Sequence, residues 1–570
     1  MTIGNLESAP ARGAAAIMLE VLRSEGVRYI FGNPGTTEMP LLFALHGTSD
    51  ISYVLGLQEA SVVSMADGYA KASGRTAFVN LHAAGGLGHA MGAIINSQIS
   101  NTPLVITAGQ QDVRHAHLDP LLSGDLVRIA RPAVKWADEI SIAEHLPVKL
   151  RRAFQDSRCA PRGPVFLSLP TNMMEQVTTT SAGVPARIDQ RSTAGGLEGL
   201  SAAITGIAPG RLAIIVGDEV YASNACPETI TLAETLGALV FGSSWPTHIP
   251  FPTAHPLWRG SLPTSASEIR ARLESFDAIL MLGGHSLITY LYSAGPTLPP
   301  TCRLFQLSAD AHNLGRAYSP AVGCVGDIRS SLQALLPLLQ TNLHPQSSRI
   351  GGLLEQAAHD RELQRVNLAQ RAVREFGESQ ITPFVAASEM LRAIGPDTAI
   401  VDESPVTTGH VRALLSSHSY SQYYFMRSAI LGWGMPAAVG VSLGLDREPV
   451  VCLVGDGSAL YSPQALWTAA RERLPVTFVV TNNREYNILK TFIRQRDRRS
   501  GRDTDAFIGM DLTNPAIDFC ALATSLGLPS HRVKKAAEIA PALQQGIASR
   551  VPNLIEIEIG ADPAEQRDTR

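Results

Sequence analysis

Cysteine is scarce in this sequence, and the few cysteines present are scattered. The six stand at positions 159, 226, 302, 324, 452 and 520, and no two of them form a CxxC pair. Because such spacing is typical of zinc sites and of redox pairs, neither kind of site is predicted. Cys452 lies within an apolar run and is most simply a small core residue.

Long apolar runs and blocks of one charge are also missing. No uninterrupted apolar stretch reaches about 18 residues, as a membrane-spanning helix would require. The net charge is −4 and no long basic or acidic block occurs, so nucleic acid is not an expected partner. The amino terminus does not show a charged segment followed by an apolar one, as a secretion signal would. We therefore expect a cytoplasmic protein without a membrane partner.

The chain is long enough for several domains. Its 570 residues exceed what one hydrophobic core usually serves. Short apolar runs alternate with helical patterns along most of the sequence, which is typical of parallel α/β sheets. Polar stretches at 177–196 and 340–349 resemble linkers. We predict three doubly wound parallel-sheet α/β domains, at residues 1–180, 195–340 and 375–560.

The most informative motif is Gly455-Asp456-Gly457-Ser458, followed 24 residues later by Asn482-Asn483. One apolar run, 449–454, leads into the GDGS half of the motif, and a second, 475–480, leads into the Asn-Asn half. Both runs are typical of buried parallel strands, and residues 463–472 between them predict a crossover helix with proline in its first turn. Because the carboxyl ends of parallel strands meet at one edge of a sheet, the two halves should lie side by side.

The residue types in this motif suit a metal-bound diphosphate. The Asp456 carboxylate, the Asn483 amide oxygen, a backbone carbonyl and phosphate oxygens are ligands that Mg²⁺ accepts. Glycines on both sides of Asp456 let a diphosphate approach the backbone closely. The sequence therefore predicts a magnesium-diphosphate site in its last third.

The stretch GDGSALYSPQALWTAARERLPVTFVVTNN closely resembles the thiamine-diphosphate signature, which opens with GDG and closes with NN after a spacer of this length. The resemblance implies that thiamine diphosphate and Mg²⁺ are cofactors. It implies that Asp456, Asn483 and the backbone carbonyl of Glu485 bind the metal. The other cofactor contacts implied in this segment are Gly455, Gly457, Ser458 and Tyr486.

Thiamine chemistry also requires a carboxylic acid at the pyrimidine ring of the cofactor, which then acts as its own base. Leu57-Gln58-Glu59-Ala60 stands where a predicted strand ends and a helix begins, and it resembles the segment that supplies this acid in the family. Glu59 takes that role by resemblance, although a glutamate in the first turn of a helix is common for electrostatic reasons alone. In the family the acid and the diphosphate site meet across a subunit interface. The resemblance thus implies a homodimer or homotetramer with composite active sites.

A third segment, Ile430-Leu431-Gly432, precedes a predicted helix at 433–443. Leu431 matches the family position that supports the bent cofactor, and a plain core leucine is the alternative. Glu403 and Ser404 match further residues near the cofactor, whereas Pro405 replaces a hydroxyl residue there.

Sequence blocks nearer the amino terminus indicate which enzymes of this family the chain resembles most. FGNPGTTEMP, LQEASVVSMADGYA, NLHAAGGLGHAMGA and FPTAHPLWRG resemble benzoylformate decarboxylase. This implies that Thr36, Glu59 and His82 belong to the active site. Thr36 stands where the family has a serine that contacts the substrate carboxylate. His82 follows a predicted strand, where a histidine can relay protons near neutral pH.

The middle of the chain departs from the family. A second catalytic histidine is expected there, but the alignment places Tyr290 at its position, and His285 lies five residues earlier. Tyrosine can donate a hydrogen bond but is a poor proton relay at pH 7. Ile488 and Phe492 fall at positions that line the substrate pocket. Together with Thr36, these differences predict a reshaped acyl pocket.

The resemblance implies non-oxidative decarboxylation of a 2-oxo acid, such as an aromatic, benzoylformate-like acid, to an aldehyde through an enamine on the cofactor. Carboligation is a further activity of such enzymes. One alternative is an acetolactate-synthase-like or benzaldehyde-lyase-like carboligase. An acetolactate-synthase-like enzyme could bind FAD in its middle domain, but Val216-Gly217-Asp218-Glu219 lacks the GxGxxG turn that would indicate a dinucleotide site. Another is a thiamine-diphosphate-binding protein that has lost catalysis, against which the presence of Glu59, Asp456 and Asn483 argues.

Overall fold

Three six-stranded sheets organise the chain. The computed structural model describes residues 11–343, 347–418, 423–499 and 507–560, so the first ten residues of the predicted amino-terminal domain lie outside it. Every pairing within the three sheets is parallel. The predicted fold class, three doubly wound α/β sheets, is confirmed.

The amino-terminal part contains the first of these sheets. Its elements are β1 (Arg12–Gly13), α1 (Ala14–Ser24), β2 (Tyr29–Gly32), α2 (Met39–Leu45), β3 (Ser52–Leu55), α3 (Glu59–Ser73), β4 (Ala77–Leu81), α4 (Ala83–Ile99), β5 (Leu104–Gln110), α5 (Leu126–Ala130), β6 (Ala137–Glu139), α6 (Leu146–Arg158), β7 (Val165–Pro170), α7 (Thr171–Met174) and β8 (Val177–Thr178). The strand order in the sheet is β3-β2-β4-β5-β7-β6, and β8 pairs separately with β1.

The middle part contains the second sheet, followed by a long helix. Its elements are α8 (Leu197–Thr205), β9 (Leu212–Val216), α9 (Asp218–Ala222), α10 (Cys226–Leu236), β10 (Leu239–Gly242), β11 (Trp258–Ser261), α11 (Ala266–Leu273), β12 (Ala278–Leu282), β13 (Arg303–Ser308), β14 (Val322–Val325), α12 (Ile328–Leu343) and α13 (Ser347–Glu375). The strand order is β11-β10-β9-β12-β13-β14.

The carboxyl-terminal part contains the third sheet. Its elements are α14 (Pro383–Ile394), β15 (Ala399–Glu403), α15 (Thr408–Leu414), β16 (Tyr423–Phe425), α16 (Gly434–Gly444), β17 (Val450–Gly455), α17 (Asp456–Ala459), α18 (Gln464–Glu472), β18 (Val476–Asn482), α19 (Asn487–Arg499), α20 (Phe519–Ser525), β19 (Ser530–Val533), α21 (Ala536–Ala548) and β20 (Asn553–Glu558). The strand order is β16-β15-β17-β18-β20-β19.

The first and third sheets have the same topology. In each, the strands stand in the relative order 2-1-3-4-6-5, whereas the middle sheet has the order 3-2-1-4-5-6. In the middle sheet the direction in which successive strands are added reverses between β9 and β12. Such a reversal creates a crevice at the carboxyl ends of the strands. The two outer parts of the chain are therefore built alike, and the middle part differs.

Helix α13 was not anticipated from the sequence. It occupies 29 residues and begins at Ser347, inside the polar stretch 340–349 that resembled a linker and into which α12 also extends, and most of its residues are exposed. A helix with so few buried positions lacks the apolar stripe on which sequence-based prediction depends. The other predicted linker begins later than expected, because β8 still pairs with β1. The domain boundaries themselves stay a prediction.

The outer parts pack together through helices α3 and α16. A Cβ atom on Gly68 would lie 2.3 Å from the carbonyl oxygen of Ala437, and one on Gly440 would lie 1.8 Å from that of Met65. Only glycine permits this approach of two helix backbones. A buried ion pair between Lys71 and the helix α3 residue Asp67, with 2.7 Å between Nζ and Oδ1, lies in the same contact.

None of the helices in the described residues combines the length and the apolar character that a membrane span needs.

Candidate active site

Glu59 is the first residue of helix α3 and follows the carboxyl end of β3. Its neighbour Gln58 caps the helix by accepting a hydrogen bond from the backbone N–H of Ser61. The Glu59 residue is 8% exposed. Asn33, which follows β2, donates to its Oε1 atom at 3.1 Å, and His89 of helix α4 lies 3.2 Å from its Oε2 atom. The carboxylate is thus held at the sheet edge where the resemblance places the activating acid.

His82 follows β4 at the same edge, and a buried glutamate holds its ring. The Nδ1 atom of His82 lies 2.8 Å from Oε2 of Glu38, which is 2% exposed. The backbone N–H groups of Gly35 and Gly109 also donate to the Glu38 carboxylate, at 2.9 and 3.0 Å. Because a carboxylate only accepts hydrogen bonds, Nδ1 carries the proton and Nε2 keeps its lone pair for chemistry.

Glu38 was missed by the sequence reasoning. It lies in the FGNPGTTEMP block but has no motif of its own, because its partners come from three separate strand ends. Gly35 fits the same arrangement, since a Cβ atom there would lie 2.3 Å from the His82 ring. Thr36 lies between Gly35 and Glu38 in the chain, and it is exposed. The hydroxyl that contacts the His82 ring belongs to the next residue, Thr37, whose Oγ1 atom lies 3.1 Å from Nδ1.

Asp456 follows β17 and is 5% exposed. Its carboxylate accepts hydrogen bonds from the backbone N–H of Gly457 at 2.8 Å and of Arg484 at 2.6 Å. Burial raises the pKa of Asp456 to about 6, although the backbone N–H groups oppose this shift. Among the described residues, no cationic side chain pairs with it. A buried carboxylate with these neighbours fits a bound cation.

The Asn483 side chain lies at the end of the neighbouring strand β18, as the strand pairing requires. Its Oδ1 atom accepts a hydrogen bond from the backbone N–H of Glu485 at 3.2 Å. Its Nδ2 atom is buried and has no partner among the described residues, so it is free to donate to a phosphate oxygen. Asn482, in turn, accepts from the backbone N–H of Arg484 at 3.0 Å and thereby fixes the left-handed turn at that residue.

The side chain of Glu485 is engaged in an ion pair. Lys490, which is 6% exposed, forms ion pairs with Glu485 and, at 2.6 Å, with Asp511. This engagement leaves the backbone carbonyl of Glu485 as its available ligand. Tyr486 lies against Gly457, where a Cβ atom would be 2.5 Å from the tyrosine ring. The glycine therefore lets the Tyr486 ring pack directly against the backbone beside Asp456.

Glu403 ends β15, next to β17 in the sheet, and is 1% exposed. Its two oxygens accept hydrogen bonds from the backbone N–H groups of Gly432 and Gly434. Burial raises the pKa of Glu403 to about 8. These bonds anchor the loop that presents Leu431, which is partly buried. Ser404 donates its hydroxyl to Asp402 at 2.5 Å.

Tyr290 and Phe492 meet between the middle and carboxyl-terminal parts, with ring centroids 5.8 Å apart. Tyr290 is 59% exposed, and Ile488 lies one helical turn before Phe492. His285 is anchored differently, because its backbone carbonyl accepts a hydrogen bond from Arg427 at 2.8 Å. Burial and nearby arginines lower the pKa of His285. The structure thus places Tyr290, at the position of the missing histidine, against the predicted pocket residue Phe492.

A cavity of about 940 Å³ lies at the opposite edge of the amino-terminal sheet, and five arginines surround it. Helices α1, α3 and α6 end at this edge, and cationic side chains complement the negative carboxyl ends of helices. Arg158 pairs with Glu25 and Arg191 with Asp189, and the cavity is separate from the edge that carries Glu59 and His82.

The raised pKa of Asp456 has a consequence for stability. The ordinary pKa of an aspartate is 3.8, and that of Asp456 in the folded protein is about 6. Between these two pH values, the folded cofactor-free protein binds a proton more readily than the unfolded chain. Folding stability is therefore expected to fall by about 3 kcal/mol as pH rises through this range. Denaturant unfolding of the cofactor-free wild type and of Asp456→Ala should diverge in this window. If the free energy of unfolding changed with pH in the same way for both proteins, the raised pKa of Asp456 would be contradicted.

The predicted residues form two groups, one on the amino-terminal sheet and one on the carboxyl-terminal sheet. Three family models match the chain and cover more than half of it. They are the N-terminal TPP binding domain, the central domain and the C-terminal TPP binding domain of thiamine pyrophosphate enzymes, at residues 12–131, 208–335 and 408–557. The chain therefore belongs to the thiamine pyrophosphate enzymes.

Within this family the chain is similar to benzoylformate decarboxylases. It is 33% identical to benzoylformate decarboxylase of Pseudomonas aeruginosa, over 94% of this chain and 97% of that protein. A structure of 4-hydroxybenzoylformate decarboxylase from Rhodococcus jostii matches with a TM-score of 0.84 and 29% identity, over 97% of this chain and all of that one. A putative acetolactate synthase large subunit of Mycobacterium tuberculosis is 25% identical, over 95% of this chain and 98% of that protein.

Proposed function

We propose that this protein is a thiamine-diphosphate- and Mg²⁺-dependent decarboxylase that converts a 2-oxo acid into an aldehyde and carbon dioxide. The observation that carries this proposal is the pairing of His82 with the buried Glu38 at the same sheet edge as Glu59. An oriented imidazole beside a held carboxylate is what proton transfer in such a reaction needs. The similarity to benzoylformate decarboxylases supports it.

Each group of residues has its own task in this proposal. Asp456, Asn483 and the carbonyl of Glu485 would hold Mg²⁺ and, through it, the diphosphate. Glu59 would hold the pyrimidine ring. Bound thiamine diphosphate supplies the electron sink that allows carbon dioxide to leave. His82 has its Nδ1–H fixed by Glu38, so its Nε2 atom can accept a proton from the substrate side or return one.

The crevice of the middle sheet supports a decarboxylase over an FAD-containing acetolactate synthase. Glu219 lies at the reversal between β9 and β12, where its side chain bonds Ser308 and the backbone N–H of Ala309 at 2.8 and 2.7 Å. A Cβ atom on Gly283 would lie 2.5 Å from the Glu219 side chain. A dinucleotide at this crevice would have to displace that carboxylate, which accepts both hydrogen bonds.

The aromatic pair at the pocket favours an aromatic acyl group. Tyr290 and Phe492 offer ring faces at tilted geometry, and aromatic side chains favour such contacts with a further ring. A panel of benzoylformate, 4-hydroxybenzoylformate, phenylpyruvate and pyruvate, assayed for carbon dioxide and aldehyde, tests the proposal. We expect faster turnover of the aryl acids than of pyruvate.

The same panel separates the alternatives. Accumulation of acetolactate from pyruvate alone would favour the carboligase alternative, which the similarity to acetolactate synthases keeps open. Tight binding of thiamine diphosphate without turnover of any acid would favour a protein that has lost catalysis.

We also propose that the active site is composite and lies between two copies of the chain. The hydrogen bonds of Glu59 and His82 stay within the amino-terminal part, and those of Asp456 stay within the carboxyl-terminal part. Phe43 and Leu121 are 70% and 86% exposed on the amino-terminal part. Covering such large apolar side chains with a second copy of the chain would remove apolar surface from water and so favour association.

Mixing two inactive variants tests this arrangement. In a dimer of one Glu59→Gln chain and one Asp456→Ala chain, one of the two composite sites is intact. Random reassociation is therefore expected to restore about a quarter of the wild-type activity, measured after joint unfolding and refolding or after co-expression. Sites contained within single chains would give no recovery. Sedimentation of each variant alone should show the same oligomer as the wild type.

A further inference from the structure

A second histidine, His89, contacts the carboxylate of Glu59. Its Nδ1 atom lies 3.2 Å from Oε2, while Asn33 donates to Oε1 at 3.1 Å. The side chain of Glu59 is 11% exposed and that of His89 is 69% exposed. Because a carboxylate only accepts hydrogen bonds, Nδ1 of His89 carries the proton in this contact.

The spacing of helix α4 creates the contact. Gly86 and His89 are three residues apart, so they face the same side of the helix. A Cβ atom on Gly86 would lie 3.2 Å from Oε1 of Glu59, closer than such atoms usually approach. The glycine therefore lets the carboxylate reach the helix, and the histidine one turn later supplies the donor.

We propose that His89 is a positioning residue that acts through Glu59. The inference rests on the proposed function, in which Glu59 faces the pyrimidine ring of the cofactor. A carboxyl group in that place works only in one orientation, since its hydrogen bond must be aimed at one ring nitrogen. Asn33 fixes one oxygen and His89 fixes the other.

Loss of the His89 donor leaves Oε2 of a nearly buried carboxylate without a side-chain partner. Such an oxygen turns towards water or towards another donor. The orientation of Glu59 then changes although its charge is kept. This distinguishes the role of His89 from that of His82, whose Nδ1 atom is bonded to Glu38 and whose other ring nitrogen is available for the substrate.

Exchange of the thiazolium C2 proton for deuterium in the bound cofactor tests the proposal directly. His89→Ala is expected to slow this exchange by about 10–100-fold, the usual effect of a lost hydrogen bond to a charged group. The dissociation constant of thiamine diphosphate and the KM for the 2-oxo acid should change by less than about threefold. His89→Asn should recover most of the exchange rate, because its amide nitrogen takes the position of Nδ1.

His145→Ala is the matched control, since His145 is an exposed histidine of the same part of the chain. It should leave the exchange rate unchanged. An unchanged rate in His89→Ala would overturn the proposal. So would a slow rate in His89→Asn, which would indicate that ring packing rather than the donor matters.

A second readout needs no cofactor. Nitrogen-15 spectra of the imidazole rings in the cofactor-free protein, at a pH where the rings are neutral, should show His89 with its proton on Nδ1. In Glu59→Ala this proton should move to Nε2, the tautomer that a free imidazole prefers. An Nε2–H signal in the wild type would overturn the proposal. A protein that binds no thiamine diphosphate but keeps the Nδ1–H signal would refute the proposed function and leave the contact intact.

Discussion

Glu59→Gln is expected to lower turnover of the 2-oxo acid by about 10²–10⁴-fold, the range that a positioned acid or base contributes. Glutamine keeps the size and the polarity of the side chain but cannot carry the proton. The hydrogen bond from Asn33 to Oε1, 3.1 Å long, can remain. Binding of thiamine diphosphate, followed by calorimetry, should therefore stay within about tenfold of the wild type.

The control for this variant is Glu144→Gln, because Glu144 is an exposed glutamate of the same part of the chain. It should behave as the wild type. C2 proton exchange must fall with turnover in Glu59→Gln. Wild-type exchange in that variant would remove Glu59 from the role of activating acid.

Asp456→Ala is expected to weaken binding of thiamine diphosphate in the presence of Mg²⁺ by more than about 100-fold, the upper range for losing a group that orients a metal site. Asp456 is the only carboxylate of the GDG motif, and it is 5% exposed. Its removal leaves Asn483 and a backbone carbonyl, which carry no negative charge to hold the metal. Turnover should be lost at cofactor concentrations that saturate the wild type.

The variant should stay folded, since the backbone N–H groups that now bond Asp456 lie at a helix start that water can reach once the side chain is short. Near-ultraviolet circular dichroism checks the fold. Asp397→Ala serves as the control, because Asp397 is an exposed aspartate of the same part of the chain. Wild-type affinity for thiamine diphosphate and Mg²⁺ in Asp456→Ala would exclude Asp456 as a ligand.

Local sequence patterns carried much of the prediction. Helix α3 begins at Glu59, within the segment Leu57–Ala60 where the sequence predicts that a strand ends and a helix begins. The crossover helix between the two halves of the metal motif begins at Gln464, with Pro463 as its capping residue rather than in its first turn. Strands β17 and β18 are neighbours, so Asp456 and Asn483 end adjacent strands.

Contacts between distant segments could not be predicted in this way. Glu38 binds the ring of His82 and the backbone of Gly109, which belong to strand ends far apart in the sequence. Nothing in the local pattern of Glu38 distinguishes it from an exposed glutamate in a turn. The pairing of Lys490 with Asp511 depends in the same way on how a later segment crosses the site.

The sequence by itself determined the class of fold, the two strand ends of the metal motif and the first residue of the helix that carries Glu59. These depend on hydrophobic periodicity and turn chemistry, which act over a few residues. Only the tertiary structure decided which nitrogen of His82 is held by Glu38, that His89 reaches Glu59, and that Glu219 fills the crevice of the middle sheet. Such contacts form only when whole sheets pack together. Their energies depend on how deeply the groups are buried, which cannot be read from a short segment of sequence.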